Sequence, residues 1–174
     1  LENQNYEVFL VGRKKRKSPP MSQRNYRSKR FKLPFEKGPF FYLSLNLRLF
    51  FFLLLQKVDL IYANDLDTLA PCFLVSKIKN TRLIYDTHEL FTEVPELTSR
   101  PKIQNMWLKI ESAIFPKLEH VITVNDAIAK IYFQKYNVPV TSVRNVPEYN
   151  RDDKTTKTRK ELNLRDEDFI LIMQ

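Results

Sequence analysis

Val58-Asp59-Leu60-Ile61-Tyr62-Ala63-Asn64-Asp65-Leu66-Asp67-Thr68-Leu69 is the stretch whose reading decides the fold. Val58 to Tyr62 is a short apolar run suited to a buried strand. Asn64-Asp65-Leu66-Asp67 then supplies capping side chains and first-turn negative charge for a helix. Leu66, Leu69, Ala70, Phe73 and Leu74 recur at helical spacing behind it. The same unit repeats downstream. Arg82 to Asp86 reads as a strand, followed by a loop from Thr87 to Arg100. Pro101 suits the first turn of a helix whose inner face is expected to carry Ile103, Met106, Ile110 and Ile114. His120 to Val124 is the next strand, and Asn125-Asp126 caps a helix lined by Ile128, Ile131 and Tyr132. Val140 to Arg144 closes the series as a last strand. Strands alternating with helices predict an α/β fold: a Rossmann-like, doubly wound parallel sheet with helices on both faces.

Upstream the pattern is less regular. Tyr6 to Gly12 reads as a buried strand ended by a glycine turn, with a short strand around Arg30 to Leu33. Arg13 to Ser28, which a compact core cannot use, is expected to be an exposed loop. Phe40 to Leu55 is the most apolar run, FFYLSLNLRLFFFLLL, with Asn46 and Arg48 in its middle. Leu43 to Leu49 alternates like a strand, but the length suits a helix, and a buried helix is the expectation. The run is too short for a membrane span.

The net charge of +9 is unevenly held. Arg13 to Lys37 contains eleven Lys or Arg against Glu36 alone, so this segment nets +10 and the remainder −1. A solvated loop is the first reading, and attraction to an anionic membrane surface or a lipid-linked phosphate the second. Tyr26 and Phe31 interleaved with the bases allow a nucleic-acid reading, which ranks last; no nucleic acid is expected as partner. The single Cys72 excludes an internal disulfide and favours a reducing, cytoplasmic setting, with peripheral contact at the inner membrane face as the variant. With only Gly12 and Gly38 there is no GxGxxG and no P-loop. His88, His120 and Cys72 make no credible zinc cluster, so neither metal nor cofactor is expected.

Ligands of an open parallel sheet bind beyond the carboxyl ends of its strands. There the sequence places Asn64 and Asp65, then His88 and Glu89 with Glu93 further along, then Asn125, then Arg144 and Asn145. Capping explains Asn64, Asp65 and Asn125 almost as well as ligand binding. A loop histidine beside an acid has no evident packing duty, which singles out His88.

The stretches Asp59 to Leu69, Leu83-Ile84-Tyr85-Asp86-Thr87-His88-Glu89-Leu90-Phe91-Thr92-Glu93, Ile122 to Ala129, Tyr136 to Pro139 and Val143-Arg144-Asn145-Val146-Pro147 resemble the N-terminal domain of family 4 glycosyltransferases. The resemblance implies the N-terminal half of a GT-B fold, in which two Rossmann-like domains face each other across a cleft. The N-terminal domain of such enzymes binds the acceptor, and the C-terminal one the nucleotide-sugar. Transfer, of hexosyl type, usually retains anomeric configuration and needs no metal. His88 matches the histidine that reaches the donor sugar and is the catalytic candidate. Asn64, Asp65, Glu89, Glu93, Asn125, Arg144 and Asn145 are the substrate-binding candidates. Glu89 stands where many members have Asp, and Asn64 where many have His.

The expected layout is an acceptor-side domain over residues 1–148 lacking its first strand, a linker over 149–168, and the first strand of a truncated donor-binding domain over 169–174. The fragment alone is expected to be inactive. The alternative is a non-catalytic glycan- or membrane-binding module on the same fold.

Overall fold

The computed structural model describes residues 6–146 and 157–171. Two compact units divide at Arg144 and Asn145. In the first, β3 (Leu60–Asn64), β4 (Arg82–Thr87), β5 (His120–Thr123) and β6 (Val140–Ser142) form a four-stranded sheet in that order, every pair parallel. The intervening helices are α2 (Leu66–Lys79), the short α3 (Pro95–Thr98), α4 (Pro101–Ile114) and α5 (Asp126–Tyr136). This is the α/β arrangement that the alternation predicts, since a parallel pair needs a crossover.

The sheet is not continuous. β1 (Phe9–Lys14) and β2 (Arg27–Lys32) form a separate parallel pair, in register from Phe9 opposite Arg27 to Lys14 opposite Lys32. Among the described residues no strand pairs with a second edge of β1 or of β3. β1 does not stop at Gly12, as expected, but runs through it to Lys14 with alternate residues half-buried. Gly12 has no positive φ and makes no turn. Arg13 stays in the strand because its guanidinium lies over the Phe41 ring, 4.6 Å from the centroid. Of the loop expected over Arg13 to Ser28, only the part between the strands is irregular, where it serves as the crossover of a parallel pair.

Pro39 at the first position, after Gly38 at φ 78°, starts α1 (Pro39–Leu55). The helix is as predicted, but it is buried on one face only, by Phe41, Leu45, Leu49 and Leu53. That face seats on β1 and β2 through edge-to-face contacts of Phe52 with Phe9 and Phe31, while α2 packs alongside. Two polar residues explain the α1–α2 seam. Pro71 lies inside α2 and lacks the N–H that would bond the Asp67 carbonyl. Asn46 Nδ2 donates to that carbonyl instead, at 2.9 Å. At the other end, Lys79 Nζ donates to the carbonyls of Leu53, which also accepts the Gln56 N–H, and of Leu54, where α1 ends.

Around α4 and α5 the core is aromatic. Phe115 stacks on Tyr132 and Tyr136, each 4.7 Å between centroids, and meets Tyr85 edge-on. The face of α4 differs from expectation: Ile103 and Met106 are exposed, whereas Trp107 and Glu111 are buried. Trp107 fits between Tyr42 and Phe91. Glu111 is fully buried: its Oε1 accepts from Lys135 Nζ at 2.7 Å and from the Tyr136 hydroxyl at 2.5 Å, while Oε2 has no hydrogen-bond partner among the described residues. Ile131 is likewise exposed on α5, which Tyr132 anchors.

In the second unit, a short 3₁₀ turn spans Lys160–Leu162, and the Arg159 guanidinium gathers the carbonyls of Arg165, Asp166 and Asp168. The expected linker is thus partly structured; its residues 149–156 lie outside the described ones. The strand expected from Phe169 is not formed over 169–171, where nothing pairs with it among the described residues, and Phe169 and Leu171 are exposed. Residues 172–174 lie outside the described ones.

Candidate functional site

The register of β3 against β4 sets Asn64 opposite Asp86, so both strands end at one level. Asp65 follows with φ 58° and ψ 166°, a backbone conformation otherwise almost confined to glycine and therefore strained. Its N–H donates to the Asp86 carbonyl at 2.9 Å. In this conformation the Asp65 carboxylate does not cap α2, contrary to the capping reading. It turns to His88, accepting that residue's backbone N–H at 3.4 Å and lying 3.7 Å from Nδ1.

The other ring nitrogen faces Asp86. His88 Nε2 is 3.5 Å from Asp86 Oδ2, and the same oxygen accepts the Tyr62 hydroxyl at 2.5 Å. Burial, followed by the Asp86 carboxylate, pushes the Tyr62 phenol well above its ordinary value, so it stays a donor. Asp86 is buried while the His88 side chain is 41% exposed, so the imidazole forms the open face of a carboxylate-backed cluster.

The backbone beneath is fixed. Thr123 Oγ1 donates to the Thr87 carbonyl at 2.6 Å, and Thr87 Oγ1 donates to the Glu89 carbonyl at 2.8 Å. Thr87 and Thr123 are fully buried. The turn carrying His88 is thereby tied to the core rather than left to the loop.

The remaining predicted residues do not converge on this cluster. Asn64 is exposed at the end of β3, and its carbonyl accepts from Thr68 Oγ1. Glu89 is held by its carbonyl with its side chain exposed, and exposed Glu93 accepts from Thr92 Oγ1. Asn125 does cap α5, accepting the Ile128 N–H at 2.9 Å. Arg144 lies 3.4 Å from Asp126 in an exposed pair, and Asn145 opens the second unit.

Two residues of the cluster, Asp86 and Tyr62, escaped the sequence reading. An acid at the end of an otherwise apolar strand was the available signal, since a buried carboxylate needs partners. Among the described residues no group of three or more His, Cys, Asp or Glu is arranged to hold a metal ion.

A cavity of about 480 Å³ lies apart from His88, between β1, the start of α1 and the first turn of α2. Asp67 lines it together with Arg13, Lys37 and Tyr42. Burial and the nearby Asp65 charge push the Asp67 carboxyl up to about 6, with Arg13 opposing.

A parallel α/β sheet with a polar cluster beyond its strand ends defines a Rossmann-like ligand-binding domain. Residues 1–148 match the family described as Glycosyltransferase Family 4, and the chain belongs to that family. No curated protein matches the chain. Its role is accordingly of the glycosyltransferase type, with a sugar donor and an acceptor as its partners.

Proposed function

We propose that this domain is the acceptor side of an enzyme that moves a hexosyl group from a nucleotide-sugar to a glycan or lipid-linked acceptor, with retention. The observation that carries this reading is the half-exposed His88 imidazole, lying between the Asp65 and Asp86 carboxylates beyond the strand ends. At those distances the carboxylates lie beside the ring without a hydrogen bond to it, so its nitrogens stay available to hydroxyl-rich ligands. Asp65, itself only partly buried, can accept from a sugar hydroxyl beside it. Asn64, Glu89 and Glu93 are exposed around the strand ends and extend the candidate surface, with Asn125, Arg144 and Asn145 as outer candidates.

Departure of a nucleoside diphosphate develops negative charge that needs helix N-termini or cations nearby. Two glycines give this chain no phosphate cradle. We assign the donor phosphates to a second domain, with residues 149–168 as the connection and 169–174 as that domain's start. A peripheral membrane setting suits a lipid-linked acceptor.

The test is transfer by the complete polypeptide across a panel of nucleotide-sugars with oligosaccharide and lipid-linked acceptors. Turnover with one donor is expected, and none from the 174-residue chain alone. Glycan binding without turnover by the complete polypeptide would replace this reading with a non-catalytic module.

A further inference from the structure

α1 is apolar on both faces, and only one is used. Phe40, Leu43, Leu47, Phe51 and Leu55 are each at least half exposed, and their spacing of three or four residues puts them in one stripe along the helix. Exposed Leu74 and Ile78 add apolar surface on α2, whose Lys79 is tied to the end of α1. At the other end, Phe35 packs on Phe40 with 5.5 Å between centroids, beside exposed Lys37. A row of this length on a monomer's surface calls for an occupant.

The basic segment lies against the same helix. Arg13 sits over Phe41, Lys29 over Phe52, and Arg48 reaches from α1 to the Lys32 carbonyl. Residues 6–57 hold thirteen Lys or Arg and only two acids, Glu7 and Glu36. Glu7 is paired with Arg27, and Glu36 accepts the Arg16 N–H. An aliphatic and phenylalanine stripe flanked by net positive charge is complementary to an anionic bilayer surface: acyl chains for the stripe, headgroups for the flank. A second copy would bring two basic flanks together, and nucleic acid would leave the leucines nothing to bury against. The helix has 17 residues with Asn46 and Arg48 at its centre, and no described helix is long and apolar enough to cross a membrane. The surface therefore suits lying on a bilayer, not spanning it.

We infer that the outer stripe of α1, with the β1–β2 basic flank, is a docking surface for anionic lipid bilayers. This inference stands on the stripe and the charge alone, independent of the transferase reading, and needs no turnover to test.

Flotation of the full 174-residue chain with phosphatidylcholine vesicles, with and without phosphatidylglycerol, reads it directly. Binding is expected only with the anionic lipid, falling as salt rises. Lys32→Gln and Lys37→Gln are each expected to weaken it about fivefold. Leu47→Gln with Phe51→Gln alters exposed positions only, keeps the far-UV circular dichroism, and is expected to weaken binding more than tenfold. Absence of binding to anionic vesicles at low salt overturns the inference. So does binding that the folded Leu47→Gln/Phe51→Gln variant retains in full, or a stripe that instead drives concentration-dependent dimerisation or duplex DNA binding.

Discussion

Replacing Tyr62 by Phe removes the hydroxyl that Asp86 Oδ2 accepts at 2.5 Å, and nothing else of the ring. Hydrogen bonds to charged groups contribute roughly 1.5–3 kcal/mol, and a buried acceptor left short of a donor costs a similar amount. Two features lower that figure here. Tyr62 is 47% exposed, so water can reach the vacated position, and His88 Nε2 remains 3.5 Å from the same oxygen. A loss of about 1–1.5 kcal/mol is therefore expected. Asp86→Ala removes the acceptor, and the double variant completes a cycle whose coupling should be about 1 kcal/mol. Trp107 is the chain's single tryptophan and is buried in the first unit, so its fluorescence in urea reports that unit's unfolding. Coupling below about 0.5 kcal/mol, the range in which independent sites simply add, would refute the claim that Tyr62 and Asp86 act as one unit.

Asn46→Leu strands the Asp67 carbonyl and should cost about 1–3 kcal/mol in urea. Adding Pro71→Ala restores a helical N–H to that carbonyl and should recover part of the loss; no recovery would detach Asn46 from Pro71. The Asp67 carboxyl is raised to about 6 from 3.8, so the folded state holds its proton more tightly than the unfolded one. Its ionisation thus costs stability as pH rises from about 4 to above 6, reaching on the order of 3 kcal/mol. Asp67→Asn should match wild type near pH 4 and exceed it at neutral pH, and parallel stability profiles would contradict this.

What the sequence revealed depended on contrast between neighbouring positions. The β3–α2 and β5–α5 units were legible because apolar strands stop at Asn-Asp pairs and apolar residues then recur at helical spacing. In α1 nearly every position is apolar, so length pointed to a helix while periodicity could not say which face was buried. In α4 the pattern misled, because Glu111 reads as a solvent position and is fully buried through partners on α5, two dozen residues away. The division of the sheet depends on edge pairing, which no local pattern encodes. His88 and Asp65 were visible as polar residues at strand ends. Their convergence with Asp86 and Tyr62 was not, because it arises from strand register and from the positive-φ backbone at Asp65. The same backbone explains why a residue read as a cap serves the histidine instead.

His88 is the residue proposed to touch sugar during transfer. The most direct test is the steady-state rate of the complete polypeptide with its nucleotide-sugar and acceptor, comparing wild type with His88→Ala. Loss of a charge-assisted or fixed hydrogen bond to the reacting sugar should lower kcat/KM about tenfold to a hundredfold, while the urea midpoint of this domain stays unchanged. A folded His88→Ala enzyme with wild-type kcat/KM would remove His88 from the site and the account with it.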